Sequence, residues 1–139
     1  MFQEVRRPPR LVPFNGNGLT STIGQMESGG HDYTNGHLTT SPKGAMAAMQ
    51  VMPGTATNPG FGVRPAANNT PAELDRVGSD YAMALHQKYG GDISKALGAY
   101  NWGPGHVDRA IASHGSNCQQ AAPAETQNYI ANGLRRLGG

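Results

Sequence analysis

Thr70-Pro71-Ala72-Glu73-Leu74-Asp75-Arg76-Val77-Gly78-Ser79-Asp80-Tyr81-Ala82-Met83-Ala84-Leu85 is the stretch that sets the fold class. A hydroxyl residue stands where a cap is needed, a proline follows at the first helical position, and a glutamate comes three residues after the cap. Leu74, Val77, Tyr81 and Leu85 then recur at helical spacing, so one stripe is apolar. Gly90-Gly91 ends the helix. The same grammar continues on both sides. Downstream, Asp92 caps a helix carrying Ala96, Leu97 and Tyr100, and Gly103-Pro104-Gly105 breaks the chain. Val107 to Ala112 makes another helix, and Pro123 opens a last one through Tyr129, Ile130, Leu134 and Leu137. Upstream, Leu19 to Ser28 reads as a helix, capped by Thr20 or Ser21 and closed by Gly29-Gly30, with Leu19, Ile23 and Met26 on one face. His31 to Thr40 is polar and holds Asn35-Gly36, a favoured hairpin pair. Ala45 to Gln50 is expected to form a short buried helix stopped by Pro53, and residues 57–69 a long loop.

These elements add up to a mainly α chain of the α+β kind, a small helical domain with one short β-hairpin around Asn35-Gly36. Arg6-Arg7-Pro8-Pro9-Arg10 and Asn15-Gly16-Asn17-Gly18 defeat regular structure. Residues 1–18 are therefore expected to be a tail, and residues 19–139 one domain. A chain of 139 residues can bury one modest core. With 20 glycines and 10 prolines it should be rich in loops. A net charge of +2 is far from the clustered basicity of a nucleic-acid binder, so no nucleic-acid partner is expected; it mildly favours an anionic polymer. The single cysteine, Cys118, cannot close an internal disulfide and has no nucleophile signature around it. No apolar run is long enough for a membrane span, and Leu11, Val12 and Phe14, broken by Pro13, make no signal-peptide core.

Chemistry has few places to reside. His31, His37, His86, His106 and His114 include no i, i+4 pair, and no phosphate-binding glycine loop or GxSxG is present. No metal or other cofactor is expected. Of the four glutamates, Glu4 lies in the tail and Glu73 serves the capping box. Glu27 and Glu125 have no such structural role. Glu27 falls in the last turn of its helix, where the negative end of the helix dipole disfavours a carboxylate, and packing against apolar groups would do so further. Both effects suit a proton donor at neutral pH; a solvated last-turn glutamate is the plainer alternative. Tyr100 and Asn101 fit either a helix end or a hydrogen-bonding pair. Trp102 fits either a sugar-stacking surface or a lid on the core. Met46, Met49 and Met52 fit either core or cleft. Asp32, five residues after Glu27, is a turn aspartate or a second carboxylate.

Four blocks in order carry a resemblance: Glu27-Ser28; Ser41-Pro42-Lys43-Gly44-Ala45-Met46-Ala47-Ala48-Met49-Gln50-Val51-Met52-Pro53-Gly54-Thr55-Ala56; Ala99-Tyr100-Asn101-Trp102-Gly103-Pro104-Gly105; and Pro123-Ala124-Glu125-Thr126-Gln127-Asn128-Tyr129. Together they resemble the signature of the soluble lytic transglycosylase family, which has a lysozyme-like fold. The resemblance implies that Glu27 is the catalytic acid/base and Ser28 its customary neighbour. It implies that Ser41, Gln50, Met52, Tyr100 and Asn101 line a sugar cleft, and that Glu125 and Tyr129 face it. It also implies peptidoglycan glycan strands as the partner, cut between N-acetylmuramic acid and N-acetylglucosamine with formation of 1,6-anhydro ends. The chain departs from the family in two places. Ala47-Ala48 stands where Gly-Leu is usual, a change expected to affect packing only. The stretch between Ser28 and Ser41 is longer than in many members.

A hydrolytic muramidase on the same fold is the alternative, with Asp32 as its second carboxylate or positioning a water. A non-catalytic peptidoglycan-binding virion module is a further one, against which the presence of Glu27 argues. The chain is taken as a monomer without membrane insertion. It is expected to be phage-encoded, carried in the virion or released at host lysis, and to act on the wall in the periplasm.

Overall fold

The computed structural model describes residues 16–138. Of the tail expected over residues 1–18, residues 1–15 lie outside the described residues, and residues 16–18 belong instead to the first helix. Helix α1 spans Gly16–Ser28, starting three residues before Leu19. A two-stranded antiparallel sheet follows, β1 Tyr33–Thr34 against β2 His37–Leu38, with Tyr33 opposite Leu38 and Thr34 opposite His37. Asn35 and Gly36 turn the hairpin at φ 53° and 80°, the left-handed pair that a tight two-residue turn requires. Helix α2 is Pro53–Thr57, α3 Pro71–Lys88, α4 Ile93–Trp102 and α5 Pro104–His114. A 3₁₀ segment, Gly115–Ala121, leads to α6 Ala124–Gly138.

Two expectations are corrected. Residues 45–50 form no helix. Met46 and Val51 exchange both backbone bonds at 2.9 Å, and the four residues between them close a tight turn with Ala47 at φ 63° and Gln50 at φ 51°. Met46 also pairs with Thr40, so bridges on both sides hold the segment out of a helix. Pro53 does not stop a helix; it begins one, at the first helical position where its missing N–H costs nothing. Pro104 does the same for α5. The exchange of glycine for Ala47 is also more than packing, since a Cβ in the left-handed region costs roughly 1 kcal/mol.

The caps that the sequence announces are made with one variation. Thr70 accepts from the Glu73 amide at 3.4 Å, and Asp92 from the Lys95 amide at 3.1 Å. Glu73 does not return the bond to Thr70. Its carboxylate takes the Ala67 amide and a two-pronged contact from Arg76, while Arg76 also bonds the Arg64 and Pro65 carbonyls. Glu73 thus anchors the end of the 58–70 loop as well as the helix start, and these donors hold its pKa down to about 2.

The core runs through the middle of this frame. Leu19 and Ile23 of α1, Leu74 and Val77 of α3, Leu97 of α4 and Ile130 of α6 meet in one cluster, joined by Met49 and Val51 from the turn. A second cluster, Leu85, Ala96, Ala99 and Val107, packs α3, α4 and α5. Helix α1 lies against α3 and α6, and α4 against α3, α5 and α6. Close approach is set by glycine in two places. A Cβ on Gly133 would stand 2.7 Å from Leu97 Cδ1, and one on Gly78 would stand 2.6 Å from Met49 Cβ and 3.1 Å from the Tyr100 hydroxyl. Gly78→Ala therefore overpacks the contact between α3, the turn and α4. It should lower stability by about 1–3 kcal/mol, read as a fall in Tm by thermal denaturation; an unchanged Tm would show that the turn is free to withdraw.

Candidate active site

Glu27 ends α1, and the chain then folds back over it. Gly29 and Gly30, at φ 67° and 83°, donate to the Gln25 and Gly24 carbonyls, a reversal that side chains other than glycine rarely adopt. Glu27 is thereby held half-buried, in reach of α6. The Tyr129 hydroxyl donates to Glu27 Oε2 at 3.0 Å, across 102 residues of sequence. Three effects act on the carboxyl, and their balance decides its state. Burial raises its pKa most, the Tyr129 bond lowers it, and the negative field of Glu125 raises it again; the net direction is up. The Tyr129 and Tyr100 hydroxyls are both pushed up by burial first and then by the Glu27 charge, so both stay protonated.

Tyr100, whose hydroxyl feels the Glu27 charge, is also part of the wall of a cleft of about 220 Å³, together with Gln50, Met52, Tyr81, Asn101 and Trp102 among others. Four of the residues singled out in the sequence, Gln50, Met52, Tyr100 and Asn101, thus share one cavity. Met52 is 43% exposed there, whereas Met49 is buried in the core and Met46 packs against it. Asn101 accepts from the hydroxyl of buried Thr126 at 2.8 Å, which commits its carbonyl and leaves its amide nitrogen for other partners. Trp102 packs on the second core cluster and also reaches the cleft, and it stacks on His106 with centroids 4.9 Å apart.

The remaining predicted residues sit differently. Ser28 donates to the Ala48 carbonyl at 2.8 Å and accepts from the His31 amide at 3.0 Å, so its hydroxyl builds the wall. Ser41 accepts from the Ala45 amide and serves its own turn. Gln50 donates from its side chain to the Ala47 carbonyl, and Tyr100 donates to the Met49 carbonyl at 2.7 Å. Glu125 is exposed in the first turn of α6 and acts on Glu27 through its field. Asp32 is not set against Glu27. It accepts from the Ala48 amide at 3.1 Å and raises the pKa of the neighbouring Asp75. Asp75, Thr126 and Tyr81 were not legible as site-builders. For Asp75 a signal existed in Gly78, a small residue one turn later on the same helix face. Among the described residues no three His, Cys, Asp or Glu side chains are grouped to hold a metal, Cys118 is buried and free, and no helix is long and apolar enough to cross a membrane.

The helical domain thus sets one half-buried carboxyl with a raised pKa against a tyrosine, on a frame whose cleft wall includes Tyr100. The chain belongs to the Transglycosylase SLT domain family, whose pattern it matches over residues 17–122. It is 32% identical over 107 residues to the soluble lytic murein transglycosylase of Escherichia coli (strain K12), and 31% over 112 residues to that of Salmonella typhimurium; each match covers 68% of this chain. The chain spans 16% of the length of these curated relatives. Among solved structures it resembles the 70 kDa soluble lytic transglycosylase of Escherichia coli, with TM-score 0.69 and 26% identity over 86% of this chain and 21% of that one. It also resembles an inactive mutant of the lytic transglycosylase Slt of Pseudomonas aeruginosa, with TM-score 0.69 and 27% identity over 86% of this chain and 20% of that one. The fold is the lysozyme-like fold of this family.

The electrostatic balance at Glu27 is open to direct titration. A carboxyl ¹³C NMR titration should place Glu27 above an ordinary glutamate. Tyr129→Phe removes the bond that favours the ionised form, so the pKa should rise further; Glu125→Gln removes a like charge, so it should fall. Movement in the opposite directions would reverse this assignment of causes.

Proposed function

We propose that the chain cuts peptidoglycan glycan strands at the β-1,4 bond between N-acetylmuramic acid and N-acetylglucosamine without water, as a lytic transglycosylase. The observation that carries the reading is Glu27: a half-buried carboxyl whose pKa is raised by burial, whose charge reaches Tyr100 of the cleft wall, and to which a tyrosine rather than a second carboxylate is bound. Glu27 donates its proton to the glycosidic oxygen, and the C1–O bond breaks with the electron pair leaving on that oxygen. The muramyl N-acetyl group stabilises the sugar cation at C1. Glu27, now ionised, accepts the proton of the muramyl C6 hydroxyl as that oxygen bonds to C1. The product is a 1,6-anhydro end, the proton returns to Glu27, and no water is consumed. One carboxyl with a raised pKa serves as acid and then base.

Around it, Tyr129 steadies the ionised carboxylate between the two steps. The Asn101 amide is placed to meet an acetamido or hydroxyl oxygen, Gln50 and Met52 line the cleft, and Trp102 offers an apolar face to a sugar ring. Ser28 and Ser41 act by building the wall, and Glu125 by its field. The hydrolytic alternative loses its support here, because Asp32 is bound into the 47–50 turn. A binding-only module has no use for a half-buried carboxyl whose pKa its surroundings raise. The place of action is the murein layer, in the periplasm or outside the cell. Delivery by a phage particle or release at lysis rests on the sequence reading alone. Residues 19–139 are read as one catalytic domain acting as a monomer.

Mass spectrometry of the soluble products from purified sacculi tests this. The wild type should release 1,6-anhydro-muramyl ends, and Glu27→Gln should lower their release by 10²-fold or more, on the order expected for loss of a general acid, with its Tm preserved. Reducing ends from the wild type would make the chain a hydrolase, and a fully active Glu27→Gln would remove Glu27 from the chemistry.

A further inference from the structure

The backbone of Ala48 and Met49 is held by side chains from four different segments. The Ala48 amide donates to Asp32 from the start of the hairpin segment, and the Met49 amide donates to Asp75 of α3 at 3.3 Å. The Ala48 carbonyl accepts from Ser28 of α1, and the Met49 carbonyl accepts from Tyr100 of α4. The two carboxyls on the amide side are held on adjacent amides, and Asp32 raises the pKa of Asp75. Two carboxylates so placed repel each other, and a proton held between them relieves that repulsion.

The turn they grip needs gripping. Ala47 and Gln50 both stand in the left-handed region, a conformation that persists only where the surroundings enforce it. Its far end, Gln50, lines the cleft, and the Met49 carbonyl fixes the Tyr100 hydroxyl. Asp32 reaches the turn because the stretch between Ser28 and Ser41 is long enough to form the hairpin. The Ala47 departure from glycine falls in the same turn, so the added grip and the added strain occur together.

We propose that Asp32 and Asp75 are a proton-sharing pair of positioning residues that holds the 47–50 turn, and through it Gln50 and Tyr100, in the geometry the cleft uses. The proposal rests on the transglycosylase reading for the meaning of that geometry, but not for the pair itself. Burial first, and then the Asp32 bond and charge, push the Asp75 carboxyl up to about 7, against the two amide bonds that lower it. The titratable groups bearing on the pair from the neighbouring elements are the carboxyls themselves and the Tyr100 phenol, which stays protonated. A raised carboxyl pKa contributes stability that is complete below the unfolded value and is lost as pH rises through the folded value. The pair should therefore weaken as pH passes about 7, when its two charges come to face each other.

The experiment uses the full chain with Asp75→Asn and Asp75→Ala. An asparagine keeps the acceptor for Met49 and donates permanently to Asp32, so it imitates the protonated state at every pH. Asp75→Asn should keep kcat and KM within about twofold of wild type at pH 6. Its Tm should hold between pH 6 and 8 where that of the wild type falls. Asp75→Ala should lower kcat by roughly ten- to hundredfold, the range expected of a misplaced wall, at a pH and temperature where circular dichroism shows it folded. The Asn variant restoring what the Ala variant loses separates positioning from mere bulk. Glu27 contributes its own alkaline limb in every variant, so differences between variants report the pair. Wild-type Tm and rate profiles for Asp75→Asn across the pH range, or wild-type kcat for Asp75→Ala, would overturn the proposal. If no protein, wild type included, yields 1,6-anhydro ends, the functional reading fails, and the melting curves still decide whether the proton is shared.

Discussion

A buried peptide group carries two polar atoms that must find partners, and in most loops neighbouring backbone supplies them. Here the Ala48-Met49 segment has both amides and both carbonyls taken by side chains from α1, the hairpin segment, α3 and α4. The relative placement of those elements is thereby tied to one short turn. Gly78 follows from it, because α3 can bring Asp75 to the Met49 amide only if the helix surface one turn later has no side chain to strike Met49. Ser28 follows too, since its hydroxyl leads from the turn back to the residue beside Glu27. The wall of the cleft and the end of the acid-bearing helix are thus one hydrogen-bonded unit.

What the sequence disclosed of this arrangement depended on range. Thr70, Pro71 and Asp92 act within one helical turn of where they stand, so their caps could be placed directly. Asn35-Gly36 likewise carries its own turn. The 45–50 segment misled because small and methionine side chains suit a short helix, while the partners that favour the turn instead lie 16 to 51 residues away. The site shows the same division. Glu27, Gln50, Met52, Tyr100 and Asn101 could be named from family blocks, but the 102-residue separation of Tyr129 from Glu27 contains no local hint of a hydrogen bond. Asp75 was hidden inside a well-formed helix, where an acidic residue beside the apolar stripe reads as solvated surface until the turn is packed onto it.

Two glutamates illustrate how the fold turns one side chain to opposite uses. Glu73 gathers an amide and a guanidinium, and its ionised form is favoured so strongly that it stays charged down to about pH 2. Glu27 is given one phenol, a largely buried setting and the like charge of Glu125, and its pKa is raised. Neither outcome follows from composition. Each follows from counting which donors reach the oxygen atoms once the helices are in place, which is how environment separates carboxyl roles generally.

The balance at Glu27 also bears on why a tyrosine is its partner. A lysine or arginine there would pin the carboxylate and remove the acid. An apolar group would leave the ionised form, which must exist between proton donation and proton return, without a donor in a desolvated place. A phenol held well above its usual pKa by burial and by the Glu27 charge keeps its proton throughout. It therefore gives a neutral hydrogen bond, stronger to the carboxylate than to the acid. The residue that lowers the pKa slightly in the resting state is thus the one that lets a single carboxyl pass through both protonation states in one turnover.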